Sequence, residues 1–388
     1  MKILFASDYG IGKPDTPYNK DFVESALREA KEAMAAADFR MLNLEKLFLG
    51  SGDPISKSGP NIGMPREMIE SLKYMKIDTV GLANNHSGDF GGENILYNLN
   101  YLKENGISYA GGGKDIDEAY LPAVFEKDGV RVSVIVVCEN EFGMADRNTP
   151  GAAGFDFFRT VRLIKAEKKT SDYVVVYFHG GNEGNPFPSP LKRETYRYFV
   201  EAGADAVVAM HTHCPQGYEY YRGKPIIYSM GNFFFTSSNP NSGSKTNPDN
   251  CWWYGYMASL EFRDGKVTFE PIPYKFTSET MEILRGERKE NFLRYLDRVS
   301  EPIKDEKEIK RLFRGWSLMV GPTYAAFFNY SPEMQGNKKL SRHLKNNMSC
   351  EAHNELLVSY MNMCYNGITE EDKKCKEEIR ELQFISVD

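Results

Sequence analysis

The chain has 388 residues, with 48 Lys and Arg against 54 Asp and Glu, a net charge of −6 and 41% hydrophobic residues. That is a globular composition, long enough for two domains or for one large α/β unit with an appendage, and it excludes a disordered or collagen-like chain. Charges of both signs are mixed along the whole length, leaving no basic stripe to hold nucleic acid, so nucleic acid is not expected as a partner.

The first apolar run meets an acid at Asp8 and is too short for a signal peptide or a membrane span, and no later segment approaches spanning length. Cys138, Cys214, Cys251, Cys350, Cys364 and Cys375 contain no CxxC pair and read as reduced thiols. A cytoplasmic location is therefore expected, or an envelope association if a targeting segment has been removed. From Lys2 to about Asp205, short apolar or β-branched runs alternate with amphipathic stretches, the pattern of an α/β fold. Strands are predicted over Ile3–Ser7, Phe39–Leu44, Thr79–Leu82, Val130–Val137, Tyr173–Phe178 and Ala206–Ala209, with helices over Asp21–Ala36, Arg66–Met75, Gly92–Asn105, Phe158–Lys168 and Leu191–Ala202.

From Gly217 the pattern turns to neighbouring strands, Tyr218–Tyr221, Ile226–Tyr228, Met257–Phe262 and Lys266–Phe276, which suggests a second sheet packed on the first. Ser237 to Asp249 is rich in Ser, Asn, Pro and Gly and reads as a long surface loop able to act as a lid. After Thr277 interleaved Lys and Glu mark exposed helix faces over Arg285–Ser300, Asp305–Phe313, Cys350–Tyr365 and Glu370–Leu382. The expected division is residues 1–276 and a charged, mainly helical extension, 277–388.

Chemistry concentrates at predicted strand ends. Of six histidines, His86, His179, His211 and His213 follow predicted strands, while His343 and His353 lie in the charged tail. Asp8 follows the first strand, Asn43 and Glu45 end the second, and Asn84-Asn85-His86 follows the third. In open α/β sheets ligand sites assemble at the carboxyl ends of strands, so these residues can converge despite their separation in sequence. Imidazole, carboxylate and amide groups together suit a borderline divalent metal such as zinc, manganese or iron. Taken singly, each has a plain structural role: Asp8 as a strand-end turn, Asn84-Asn85 as turn residues, His179 as a satisfied core histidine. Taken together, the concurrence points to a metal site.

The ordered set Asp8, Asn43-Leu44-Glu45, Lys57, Asn84-Asn85-His86 with Asp89, His179-Gly180-Gly181-Asn182-Glu183, His211-Thr212-His213 with Gln216, and Tyr228-Ser229-Met230-Gly231-Asn232-Phe233 resembles the CapA/PgsA family of capsule and poly-γ-glutamate synthesis proteins. That family is itself similar to the calcineurin-like metallophosphoesterases, and the resemblance covers residues 2 to 276. It implies a four-layer α/β/β/α sandwich with the site at one edge of both sheets and one or two divalent ions, Mn, Zn, Fe or Mg. In that scheme Glu45 bridges the metals, with Asn43 able to take part of its role. Asn85, His179 and His211 complete one metal, Asp8 and His213 hold the other, and His86 stands beyond them as proton donor or oxyanion stabiliser. Two positions depart from the pattern. Gly10 stands where metallophosphoesterases place a histidine, which implies that one metal is weakly held, oxygen-rich or absent, and Gly180 stands where the capsule family usually shows tryptophan.

Glu183, Gln216 and Glu219 read either as partners that orient His179 and His213 or as surface polar residues. The stretch Ser229 to Phe233 reads either as a tight turn after a buried strand or as a substrate-facing rim. Trp252, Trp253 and Tyr254 read as core packing, or as a platform for a sugar or polymer beside the predicted lid. Three functions remain open from these residues: a metal-dependent phosphoester hydrolase, an amide hydrolase of a polyglutamate or envelope polymer, and a non-catalytic capsule-polymer assembly component. The expected partner is a small-molecule or polymer substrate, anionic ones included, and oligomeric state is left open.

Overall fold

The strand Lys2–Gly10 is the hub of the larger sheet. Phe39–Leu44 pairs parallel along one edge, while on the other Tyr254–Arg263 pairs antiparallel with residues 2–5 and gives way to Asn232–Phe235, parallel along residues 8–10. The structure is a computed structural model that describes residues 1–13, 15–236, 247–326 and 338–387. This sheet has eight strands, running Met281–Ile283, Lys266–Phe276, Tyr254–Arg263, Lys2–Gly10, Phe39–Leu44, Thr79–Gly81 and Ser108–Ala110, with Asn232–Phe235 beside Lys2–Gly10.

A second sheet of six strands runs Tyr218–Tyr221, Lys224–Ile227, Ala206–Met210, Tyr173–His179, Val130–Cys138 and Ala123–Lys127. Every residue of Tyr173–His179 is buried, and its continuous apolar run is what a parallel strand covered on both faces requires. The two sheets face each other: the Tyr177 hydroxyl donates to the Ala6 carbonyl at 2.5 Å, and its ring lies 5.8 Å from that of Phe5. Helix Lys20–Met34, capped by the Asn19 side chain, buries Val23, Ala26, Leu27, Ala30 and Met34 beside the larger sheet. Phe157–Glu167 and Pro190–Ala202, capped by Asp156 and Ser189, pack on the smaller one. The result is a four-layer α/β/β/α sandwich, the fold class expected.

One expectation needs correction. The strands after Gly217 do not make a sheet of their own. Tyr218–Tyr221 and Lys224–Ile227 extend the sheet of Ala206–Met210, whereas Asn232–Phe235, Tyr254–Arg263 and Lys266–Phe276 join that of Lys2–Gly10. The chain crosses between sheets at Gly231, whose φ of 75° and whose missing Cβ, which would lie 2.6 Å from the Tyr254 carbonyl, both require glycine. Most of the predicted loop, residues 237–246, lies outside the described residues.

The C-terminal helices are Gly286–Ser300, Glu306–Ala325, Lys338–Ser349, Glu351–Asn366 and Glu370–Leu382. The second runs well past the predicted Phe313 because Gly315, Trp316 and Ser317 are buried against its helical neighbours; a Cβ on Gly315 would meet Cys375 Sγ at 2.7 Å. Arg314 binds Asp372 through two parallel hydrogen bonds of 2.8 and 2.7 Å. Phe292, Leu296, Trp316 and Ile379 belong to the same hydrophobic cluster as Phe5 and Tyr177. Beyond the last helix the backbone is fastened to the segment before Tyr254, with Cys251 N donating to the Gln383 carbonyl at 2.8 Å and Ile385 N to that of Asp249 at 2.7 Å. All six cysteines are free thiols. No helix of the described residues is long and apolar enough to cross a membrane.

Candidate metal centre

Strand carboxyl ends from both sheets deliver the polar residues to one place. Asp8 and Asn43 come from the larger sheet, with Glu45 and the turn at Asn84 and Asn85 following its strands; His179 ends one strand of the smaller sheet and His211 and His213 follow another. Asp8, Asn43, Glu45, Asn84 and Asn85 are buried, as are the three histidines. His179 Nε2 lies 3.1 Å from Asn85 Oδ1 and 3.0 Å from His211 Nδ1, the separation expected of donors that share one ion at bond lengths of about 2.0–2.2 Å. On the other side of that ring, Nδ1 is 3.3 Å from Asp8 Oδ1. His213 Nδ1 lies 2.7 Å from Asn232 Oδ1, which accepts its proton and turns Nε2 toward Glu45 Oε1 at 3.8 Å. Asn232 thus orients an imidazole, while Gly231 before it makes the tight turn after the buried strand.

Glu45 is the decisive residue for whether an ion fits. It is fully buried, and neither carboxylate oxygen has a hydrogen-bond partner, a costly state unless a cation supplies the missing charge. Burial, with Asp8 and Glu183 nearby, holds the Glu45 carboxyl well above the usual carboxylate range. Burial raises Asp8 as well, but His179, His213 and the Asn43 amide more than offset it and bring Asp8 below its ordinary value. Burial and the neighbouring His179 and His213 push His211 well below the ordinary imidazole value, which leaves it neutral and ready to donate a lone pair. His211 and His213 also carry positive φ values of 97° and 52°, a backbone conformation unfavourable for a bulky residue and concentrated at functional sites.

Two sets of ligand-capable atoms, Asp8 with Glu45 and His179, and Glu183 with His211 and His213, each lie within 4.8 Å of one another. A third such set, Glu139 with Cys350 and Glu351, is already satisfied: Glu139 pairs with the buried Lys192 ammonium at 2.5 Å and accepts from the backbone of Gly181 and Ala352. Glu139 immediately follows the strand Val130–Cys138, and the same strand-end rule that singles out Asp8 would have found it.

Other expected residues hold the frame. Asn43 donates to Asp8 Oδ1 at 2.8 Å and accepts from Asn84, which ties it to the residues around Glu45. Asn84 also donates to the Leu44 carbonyl and accepts from the His86 amide, clipping the turn to the strand. Gln216 and Glu219 do not reach the histidines. Gln216 donates to the carbonyls of Asn185 and Phe187, and Glu219 binds Arg197 and the Tyr228 hydroxyl, because both side chains point into the packing beneath the smaller sheet's edge.

The two departures have a steric cause. A Cβ on Gly10 would meet the Lys46 stem at 2.5 Å, and one on Gly180 would meet Glu139 at 2.6 Å, so neither histidine nor tryptophan fits. Lys46 is brought down to about 8 by burial and donates to the carbonyls of Gly12 and Thr236 at 2.7 Å each.

His86 approaches the same Glu45 oxygen as His213, its Nε2 3.9 Å from Oε1. Its Nδ1 is 2.8 Å from Asp89 Oδ2, and Asp89 is in turn ion-paired with Lys57 in a fully buried contact. Burial lowers the His86 value, Asp89 opposes the shift and Lys57 reinforces it. Above His213, the Trp252 ring lies 4.8 Å away and that of Phe235 5.5 Å. Trp252 borders a cleft of about 180 Å³ lined also by Glu183, Gly184, His213, Asn250, Cys251 and Gln383. A larger groove of about 670 Å³ between Pro190–Ala202, Glu306–Ala325 and Glu351–Asn366 contains none of the histidines.

Comparison with known proteins places this architecture. The chain is 31% identical over 173 residues to the PGA biosynthesis protein CapA of Bacillus subtilis, covering 44% of this chain and 46% of the relative. It is 27% identical over 227 residues to the capsule biosynthesis protein CapA of Bacillus anthracis, covering 56% and 54%. The chain thus spans about half the length of the curated relatives it matches. Among solved structures it is similar to a 5'-nucleotidase precursor from Thermus thermophilus, with a TM-score of 0.42 and 12% identity over 72% of this chain and 55% of that one. The stretch that carries Asp8, Glu45, Asn85 and the three buried histidines falls within residues 6–237, which match the family described as bacterial capsule synthesis protein PGA_cap, and with more than half its length matched the chain belongs to that family.

Proposed function

We propose that this chain is a divalent-metal-dependent hydrolase of phosphoesters that serves capsule or poly-γ-glutamate metabolism. The observation that carries the reading is the buried Glu45 carboxylate, neither oxygen of which has a hydrogen-bond partner, grouped with Asp8 and His179 and with His213 Nε2 at 3.8 Å and His86 Nε2 at 3.9 Å from Oε1. The printed names of the Bacillus relatives support the capsule connection. In this reading Glu45, together with Asn85, His179 and His211 and with Asp8 and His213, would hold one or two ions, Mn, Zn, Fe or Mg. The metal supplies Lewis-acid polarisation of a phosphoryl oxygen and activation of water. Asn232 and Asp8 fix the orientation of His213 and His179, and His86, with Nδ1 held by Asp89, would in its imidazolium form present the Nε2 proton to the leaving oxygen. Residues 1–276 form the metal-binding unit and 277–388 a helical extension packed against it.

Elemental analysis after Mn²⁺ or Zn²⁺ loading, run beside turnover of p-nitrophenyl phosphate, tests this reading. Bound metal with turnover is the expected result; no bound metal and no turnover would leave a polymer-binding role instead. His211→Ala is expected to lower metal content and the metal-dependent part of thermal stability together, because an ion that binds only the native state stabilises it by mass action. Equal metal occupancy in the variant, read by the same elemental analysis, would remove His211 from the ligand set.

A further inference from the structure

Part of the cleft above His213 comes from segments that the family match does not cover. Residues 6–237 carry the match, yet Asn250, Cys251, Trp252 and Gln383 line the opening. Gln383 reaches it because the segment after helix Glu370–Leu382 is fastened to Asp249 and Cys251 by backbone hydrogen bonds. Its Nε2 donates to the Gly184 carbonyl at 2.7 Å, which leaves Oε1 as an acceptor beside the cleft. Glu183 adds carboxylate acceptors on the same side and is the only charged group among the described lining residues besides His213 when protonated. Trp252, its ring set against His213, supplies an apolar face.

An aromatic face bordered by acceptors suits a ring that carries several hydroxyl donors. It disfavours an anionic leaving group, which Glu183 would repel and no cation among the described lining residues would neutralise. The volume of about 180 Å³ is below that of clefts for drug-sized ligands and suits a single ring. From this we infer that the cleft is a leaving-group subsite for the sugar of a sugar phosphate, with Gln383 a specificity-determining residue contributed by the C-terminal segment. This rests on the hydrolase reading above.

The test uses the full-length, Mn²⁺-loaded protein with α-glucosyl phosphate as substrate and inorganic phosphate as inhibitor. Gln383→Leu is expected to raise KM for the sugar phosphate by about fivefold to tenfold, the loss of one hydrogen bond to substrate, with kcat nearly unchanged. The inhibition constant of inorganic phosphate, which has no ring to place in the cleft, should stay the same. Gln383→Glu breaks the bond to Gly184 but keeps an acceptor, so it should restore most of the lost KM; a merely structural role would be damaged equally by both variants. Wild-type turnover of p-nitrophenyl phosphate without turnover of α-glucosyl phosphate, or an unchanged KM in Gln383→Leu, overturns the subsite and leaves the hydrolase standing. Wild-type protein that binds no Mn²⁺ and hydrolyses neither ester overturns both.

Discussion

Glu45→Gln is expected to abolish tight metal binding and yet make the metal-free protein more stable as pH rises. The two effects have one origin. Glu45 is fully buried without a hydrogen-bond partner, and burial with Asp8 and Glu183 raises its pKa well above 4.5 in the folded chain. A carboxyl whose folded value is raised gives stability that is fully present below the unfolded value and is lost as pH climbs through the folded one. Metal-free wild-type protein should therefore weaken progressively from about pH 4.5 upward, and the neutral, isosteric amide escapes that loss. Metal reverses the order, since an ion at about 100 times its dissociation constant adds about 2.7 kcal/mol to whichever form binds it. The wild-type protein gains this, increasingly so at higher pH as the proton on Glu45 is easier to displace; the variant does not. Loss of several kcal/mol of Lewis-acid stabilisation corresponds to a fall in turnover of at least about 10³-fold. Thermal melts of both proteins at pH 5.5 and 8, with and without Mn²⁺, read the effect, and a variant that is still stabilised by Mn²⁺ would show that Glu45 is not a ligand.

Much of this centre is legible in the sequence because its parts follow strands that announce themselves. Tyr173–His179 and Ala206–Met210 are unbroken apolar runs, so the residues at their ends stand out, and the carboxyl-end rule for parallel sheets brings His179, His211, Asp8 and Glu45 together without any knowledge of contacts. What stays hidden depends on pairings between distant segments. The division of the strands after Gly217 between two sheets is fixed by which edge each finds, and alternation alone does not encode it. Gln216 sits close to His213 in sequence but is directed by its own packing to Asn185 and Phe187. Gln383 enters the cleft only because the chain after the last helix pairs with residues 249 and 251, more than 130 positions earlier in the sequence. Gly10 and Gly180 look like losses when the motifs are read alone; in the fold, Lys46 and Glu139 occupy those volumes.

His86→Ala separates chemistry from metal binding. The imidazole makes its closest contacts with Asp89 and Lys57, outside the cluster of Asn85, His179 and His211, so the variant should keep the metal content of the wild-type protein. Asp89 holds Nδ1, so in the imidazolium form the second proton sits on Nε2, 3.9 Å from Glu45, and that form is the one that acts as an acid. A proton donor in that position matters in proportion to how poor the leaving group is. With glyceryl phosphate, whose alkoxide leaves only if protonated, turnover should fall by about 10²- to 10⁴-fold, the usual worth of general acid catalysis. With p-nitrophenyl phosphate, whose phenolate leaves readily, the fall should be markedly smaller. Equal losses on the two esters would mean that His86 stabilises charge on the phosphoryl oxygens and does not protonate the leaving group, since that service is needed equally by both. Unchanged turnover of glyceryl phosphate in a variant with full metal content would remove His86 from the reaction altogether.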